Sequence, residues 1–338
     1  MSTDTASSGS GLPGSGLDAR VPWHHGDPLR EQRVMATGAG VVDRSNRDVL
    51  VVTGADRLSW LHSICSQHVA NLSDGDSTES LVLSPHGHVE QHWQLTELGG
   101  AVWIDTEPGA AATVLDYLHK MRFMKRVEPA DVSGDWAVLS LVGPNSADVL
   151  TAAALPTPSV GHADALSAGG FVRGAAWPGS SAFDLLVPRA QAPTVLQALV
   201  AAGAEPAGLW AFEALRVEAR RPRFGFETDH RTIPHEVGWI GSAVHLDKGC
   251  YRGQETVARV QNLGKPPRRL VLLHLSGDSE ELPPAGTAVE SAGRAIGFLG
   301  TALHHHELGP IALAVVKRSL PDDAPLLVDG SPVAIDAG

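Results

Sequence analysis

The chain predicts an α+β fold made of two related halves followed by a small all-β region. The run at 49–53 ends in Gly54-Ala55-Asp56 and passes into Arg57-Leu58-Ser59-Trp60-Leu61, and the same succession returns at 137–142, Gly143-Pro144-Asn145 and Ser146-Ala147-Asp148-Val149-Leu150. Each reads as a buried strand, a glycine turn with an Asp or Asn cap, and a helix. Two such units suggest a duplication, although strand–glycine–helix junctions are common. After Pro266-Pro267 the texture changes to short strand-like runs at 270–275, 286–290, 295–301, 311–317 and 325–328, broken by Gly, Pro and Asp. That rhythm belongs to a β-barrel or sandwich.

Between the two units, residues 80–97 read as a hairpin with Ser84-Pro85-His86-Gly87 as its turn. Helices are expected at 110–121, at 188–203, where Gly203 stops an Ala/Leu/Val-rich run, and at 209–220, where Leu209, Phe212, Leu215 and Val217 lie on or near one face. The Ser- and Gly-rich residues 1–20 have neither a basic nor an apolar region and read as a disordered tail rather than a signal peptide. The expected organisation is thus a tail at 1–20, an α+β region of two subdomains at 21–262 and a barrel at 263–338.

With 43% hydrophobic and 19% charged residues, the 338-residue chain has the composition of a water-soluble globular protein. No apolar run approaches the ~20 residues that span a bilayer, so no membrane role is expected. A net charge of −12 argues against nucleic-acid binding. Two cysteines, Cys65 and Cys250, provide no disulfide framework and suggest a reducing cytoplasm. Cys65, within Leu61-His62-Ser63-Ile64-Cys65, reads as a packing residue.

Cys250 stands in Lys248-Gly249-Cys250-Tyr251-Arg252-Gly253-Gln254-Glu255-Thr256-Val257-Ala258, followed by Arg259. Flanking glycines let the backbone bend and a ligand approach, and Lys248, Arg252 and Arg259 would supply the positive field that favours a thiolate. A reactive thiol is the reading preferred to a structural cysteine.

These segments in this order resemble the folate-binding superfamily of the glycine-cleavage T protein (aminomethyltransferase), and within it the YgfZ-type proteins that assist iron–sulfur cluster assembly. The markers are Gly54-Ala55-Asp56-Arg57, Trp60-Leu61-His62, Leu83-Ser84-Pro85-His86-Gly87, Glu213-Ala214-Leu215-Arg216-Val217-Glu218, Pro234-His235-Glu236 and Ala295-Ile296-Gly297-Phe298-Leu299-Gly300. The segment 248–255 matches the YgfZ-type signature at every fixed position. The resemblance implies a three-part cloverleaf, two ferredoxin-like α+β domains and a C-terminal β-barrel, around a channel that holds tetrahydrofolate. It further implies a monomer that binds a reduced folate and serves iron–sulfur assembly proteins or client enzymes. One departure matters. T proteins carry an acidic pair after the hairpin glycine, whereas here Gly87-His88-Val89-Glu90 is followed by Gln91-His92. Glutamine is neither acid nor base, so aminomethyl transfer by that route is disfavoured.

Cys250 and Lys248 are therefore the candidate catalytic residues, with Lys248 and Arg259 stabilising a thiolate or a folate anion. Candidate folate contacts are Glu218 and Glu227, either of which could accept the paired N–H groups of a pterin, together with Tyr251, Arg252, Gln254, Arg259, Trp239 and His92. Phe224, Phe226, Trp239 and Tyr251 are candidate aromatic walls, though aromatics are more often core. Lys120, Arg122, Lys125 and Arg126 around Phe123 read as a solvated face or a site for the folate glutamate tail. His86, His88 and His92 share strand parity with Glu90, but no metal site is expected there because the turn interrupts the strand. His304-His305-His306 reads as an exposed loop. A folate-dependent one-carbon transferase and a non-catalytic scaffold stabilised by folate remain the alternatives.

Overall fold

The computed structural model describes residues 11–178, 181–277 and 281–337, without the side chain of Leu263. They form two compact units, one of residues up to Arg47 with Ser133–Glu213, the other of Asp48–Val132 with the chain from Ala214 onward.

At the start, β1 (Leu12–Pro13) pairs with β2 (Pro22–His24), and between them the buried Asp18 accepts a 2.7 Å bond from Asn46 Nδ2. The tail expected over 1–20 is thus folded from residue 11 onward; residues 1–10 lie outside the described residues. Helix α1 (Pro28–Thr37) begins with a proline in its first turn and Asp27 as its cap, whose carboxylate accepts from the Arg30 amide at 2.9 Å. It leads into β3 (Gly40–Asp43).

The next segment forms a sheet of its own from β4 (Asp48–Thr53), α2 (Arg57–Ile64), β5 (Ser77–Leu83), β6 (Val89–Leu98), β7 (Ala101–Thr106), α3 (Ala111–Met121) and β8 (Glu128–Asp131). Its strands are antiparallel in the order β5-β6-β7-β4-β8. Apolar residues of the strands, such as Leu50, Trp93 and Ile104, pack against Trp60 and Leu61 of α2 and Val114 and Leu118 of α3. The expected hairpin is β5–β6, with Gly87 at φ +78° in its turn.

The chain returns to the first unit through β9 (Trp136–Val142), α4 (Ser146–Ala152), β10 (Ala163–Ala165), β11 (Phe171–Ala175), β12 (Ala182–Pro188), α5 (Ala192–Ala201) and β13 (Glu205–Ala207). The sheet order is β10-β11-β12-β9-β3-β13. The two sheets repeat one plan, since β9 flanked by β12 and β3 corresponds to β4 flanked by β7 and β8. The glycine turns repeat as well. A Cβ on Gly54 would lie 2.2 Å from the Arg126 carbonyl, just before β8, and one on Gly143 would lie 2.3 Å from the Gly38 carbonyl, just before β3. Both glycines have φ above +100°. The caps differ from expectation: neither Asp56 nor Asn145 makes a side-chain cap bond. Asp56 instead accepts from the Arg126 amide at 2.9 Å and its guanidinium at 2.8 Å, which holds its carboxyl at about 2.

The unit division falls inside α6 (Leu209–Glu218), after which an irregular stretch leads to α7 (Gln254–Leu263). The chain ends in a closed barrel of β14 (Arg268–His274), β15 (Ala288–Ser291), β16 (Arg294–His305), β17 (Gly309–Lys317), β18 (Leu326–Val328) and β19 (Ser331–Ile335), in the order β14-β17-β16-β15-β18-β19. Pairing of Leu273 with Ile335 closes it and leaves no free edge. The expected five runs are strands, and β19 is a sixth. The histidine triplet is corrected: β16 continues through His304 and His305, and His305 is buried, its Nδ1 accepting from the amides of Glu307 and Leu308. Among the described residues no helix is long and apolar enough to cross a membrane.

Candidate functional site

The loop that carries Cys250 is held at three points. Gly253, at φ +82°, starts α7 and lies against the hairpin turn; a Cβ there would stand 2.6 Å from the Ser84 carbonyl and 2.9 Å from the Gly87 Cα. Gly87 answers across the contact, since its own Cβ would meet Thr256 at 2.7 Å. Only two glycines let the hairpin and α7 come this close. Next to them, Arg252 donates to both oxygens of Glu90, at 2.8 and 3.4 Å.

Lys248 makes the third attachment. It is buried, and its Nζ donates to the carbonyls of His62 (2.5 Å), Cys65 (2.6 Å) and Gln67 (3.0 Å). The first two lie at the C-terminal end of α2, where a helix leaves acceptors unsatisfied and its dipole is negative, and Gln67 follows just beyond it. An ammonium has three N–H donors and all three are used here. Lys248 therefore cannot also donate to a thiolate at Cys250, and the catalytic role expected for it is corrected to that of a clamp. Burial pushes its pKa down. The Tyr251 ring lies 5.0 Å from the ammonium, itself buried among Leu81, Leu83, Trp239 and Val257, and burial lifts its phenol to about 12.

Cys250 is exposed, whereas Cys65 is buried in the core beside α2, as expected, and burial pushes its thiol up. Gly249 differs from Gly253. A Cβ on it would meet nothing within 4 Å, and its φ is not left-handed. Neither packing nor backbone conformation requires a glycine there. The cations expected to surround the thiol are engaged elsewhere: Arg252 with Glu90, and the exposed Arg259 with Glu255 one turn back at 3.3 Å. Gln254 donates weakly to the Lys248 carbonyl at 3.5 Å.

The proposed folate contacts separate into two groups. Glu227 is fully buried, with Oε2 accepting from Arg216 (3.1 Å) and the Arg223 amide (2.7 Å) and Oε1 from the Thr301 amide (2.7 Å). Gly300 makes room for it, because a Cβ there would lie 2.4 Å from Oε1. Glu227 joins the end of α6 to β16 and is not available to a ligand, which corrects that assignment. Trp239, 1% exposed, stacks on His92 at 4.9 Å, and His92 Nε2 lies 3.0 Å from Glu79 Oε2. Trp239, Tyr251 and His92 are thus core and network residues rather than ligand walls. Burial would raise the Glu79 carboxyl, but His92 and Arg221 outweigh it and hold it at about 2. Phe224 packs against the same cluster, and Phe226 lies under the Arg223 guanidinium at 4.4 Å.

Glu218 and Gln91 remain open. The Glu218 side chain is 46% exposed and, among the described residues, makes one ion-pair contact, with His305 at 3.4 Å. Gln91 is buried, and its Oε1 has no hydrogen-bond partner among the described residues. Sequence reading singled out Gln91 only for what it lacks. It missed the rings of His62, His68 and His245, which meet at 4.6 and 5.4 Å. No single segment signals that cluster, since its members lie on α2, just after it and near the Cys250 loop. Among the described residues no group of three or more His, Cys, Asp or Glu side chains could hold a metal ion.

Comparison with known proteins places this geometry. The model of the GCVT N-terminal domain matches residues 20–248, and that of the CAF17 C-terminal beta-barrel domain matches residues 268–337. The chain belongs to the GCVT family. Its barrel is of the CAF17 type, in keeping with the YgfZ-type resemblance. Aminomethyltransferases of Nostoc sp. and Geobacillus kaustophilus are 27% and 29% identical to it, each over 86% of this chain and 80% and 82% of their own lengths. A chloroplastic relative from Arabidopsis thaliana is 27% identical over 78% of the chain, which spans 61% of that protein. The aminomethyltransferase T structure from Bartonella henselae shares the fold, with a TM-score of 0.84 at 21% identity over 96% of this chain and 92% of that one.

Proposed function

We propose that this protein binds tetrahydrofolate and supports assembly or repair of iron–sulfur clusters through Cys250, without aminomethyl transfer. The observation that carries the reading is the exposed thiol beside Gly249, a glycine the fold does not require, on a family scaffold whose hairpin carries Gln91-His92. The residues fit a reduced pterin: the buried Gln91 oxygen, without a partner among the described residues, can accept an N–H, and the half-exposed Glu218 carboxylate can accept two. When bound, the folate supplies nitrogens that carry one-carbon units. Gln91 can orient such a ligand but cannot take a proton from it, and His92 is already bonded to Glu79 and stacked on Trp239. Cys250 supplies the nucleophile, and Lys248, Gly253 and Arg252 hold its loop. The clients are cluster enzymes or their assembly proteins, met by a monomer in a reducing compartment such as the cytoplasm.

The test joins two measurements. Calorimetry with tetrahydrofolate should show saturable binding, and at 100 times Kd the fold should gain about 2.7 kcal/mol. In a strain lacking the gene, the wild-type chain should restore cluster-enzyme activity and Cys250→Ser should not. Absence of any folate binding refutes the ligand; full complementation by Cys250→Ser refutes the thiol and favours the scaffold. Turnover of methylene-tetrahydrofolate by the purified protein would instead favour the transferase alternative.

A further inference from the structure

The loop between α3 and β8 presents two large apolar side chains to water: Phe123 is 82% exposed and Met124 98%. Phe123 also has φ +46°, a left-handed conformation that glycine or asparagine adopts at far lower cost than a bulky aromatic. Solubility and backbone preference both oppose this residue at this position. The loop is nevertheless firmly placed. The Lys125 amide bonds back to the Arg122 carbonyl at 3.0 Å, and Arg126 is pinned to Asp56 through its amide and guanidinium.

Beside the tip lies a groove of about 470 Å³, floored by Trp60, Ile64 and Met121 and rimmed by Phe123, Met124 and Lys125. Lys120, Arg122, Lys125 and Arg126 fall within seven residues and leave one positive charge in excess at the rim, since Asp116, Glu128 and the groove-lining Asp56 pair with three of them. Lys125 makes no direct ion pair among the described residues, and Lys120 and Arg126 are paired on side chains 71% and 76% exposed. Exposed pairs exchange partners easily. A concave apolar floor, protruding apolar rim residues and accessible cations form a surface complementary to a segment with both apolar and carboxylate side chains. A bilayer fits less well, because a groove is wasted on a flat surface and two apolar side chains anchor weakly.

We propose that this groove docks an acidic, amphipathic segment of a partner protein, with Phe123 and Met124 as its anchors. Helix α2 links the groove to the thiol: Trp60 and Ile64 form the groove floor, while the carbonyls of His62 and Cys65 hold Lys248 of the Cys250 loop. The inference does not depend on folate binding.

The probe is a fluorescein-labelled helical peptide with leucines on one face and glutamates on the other, read by polarisation against the full chain. A lysine-for-glutamate version serves as control. We expect the acidic peptide to bind saturably and the basic one at least about tenfold more weakly. Phe123→Gly with Met124→Ser should abolish binding while the melting temperature stays equal or rises, since glycine relieves the left-handed φ. Lys125→Glu, on an exposed side chain, should weaken binding severalfold without unfolding. Equal binding of both peptides, unchanged binding by the variants, stronger binding to phosphatidylserine vesicles than to the peptide, or a concentration-dependent dimer lost in the double variant would each overturn the proposal.

Discussion

Replacing Lys248 by methionine separates a clamp from a catalyst. The ammonium satisfies three carbonyls at and just beyond the end of α2, and methionine fills similar volume with no donor. A hydrogen bond from a charged donor contributes about 1.5–3 kcal/mol, and a buried acceptor left unpaired costs about 1–3 kcal/mol. Those figures do not add to the full sum, because burying the ammonium costs several kcal/mol of hydration that the variant regains. A net loss of about 2–4 kcal/mol is expected, a large share of a typical stability of about 5–15 kcal/mol. With a urea slope near 3 kcal/mol/M, the midpoint should fall by about 1 M. The assay is urea unfolding followed by tryptophan fluorescence, with iodoacetamide trapping of Cys65, which sits under the clamp, as a second readout. Lys248→Met should raise Cys65 labelling. If the variant keeps its stability within about 0.5 kcal/mol and its Cys65 protection, but loses complementation, the lysine acts chemically and the clamp is wrong.

Iodoacetamide should label native Cys250 stoichiometrically while Cys65 stays protected, and Cys250→Ser should leave the melting temperature unchanged because that side chain is exposed; labelling of both at one rate would contradict the burial of Cys65. The two motif glycines should respond oppositely. Gly253→Ala should lose more than about 2 kcal/mol, since it combines a left-handed φ with a Cβ 2.6 Å from a carbonyl, whereas Gly249→Ala should stay within about 0.5 kcal/mol. Acid should unfold the protein partly through Glu79. Its folded pKa of about 2 lies below the ordinary 4.5, so its contribution, about 3 kcal/mol, is complete above pH 5 and is lost as pH falls toward 2. Glu79→Gln should flatten that part of the pH–stability curve, and an unchanged curve would mean the carboxylate is not held as described.

The strands and helices were legible because their signals are local. The hairpin, α3, α6 and five of six barrel strands follow from periodicity and glycine turns, while β19 escaped because Ser331-Pro332-Val333-Ala334-Ile335 offers little alternation after a polar turn. The site was legible as a motif and much less so as a set of partners. Three cations near a cysteine in sequence suggested a thiolate pocket, yet their partners, the α2 carbonyls, Glu90 and Glu255, include groups some 160 to 190 residues away along the chain. Glu227 and Glu218 looked alike in sequence; only burial and the space left by Gly300 separate a structural carboxylate from an open one.

The interleaved chain path has a consequence for biosynthesis. The sheet of β4 to β8 lies in one continuous stretch and can close as soon as residue 131 is clear of the ribosome. Strand β3 precedes it, but its partners β9 and β13 follow it. Its Val41 and Val42 must therefore stay unpaired while roughly 90 more residues are made, several seconds at about 5–20 residues per second. During that interval an apolar strand edge is open to wrong pairing, and the earlier closure of the β4–β8 sheet shortens the gap by bringing the ends of its own segment together. Codon changes that slow translation between residues 48 and 136 should lower soluble yield more than equal changes within the barrel.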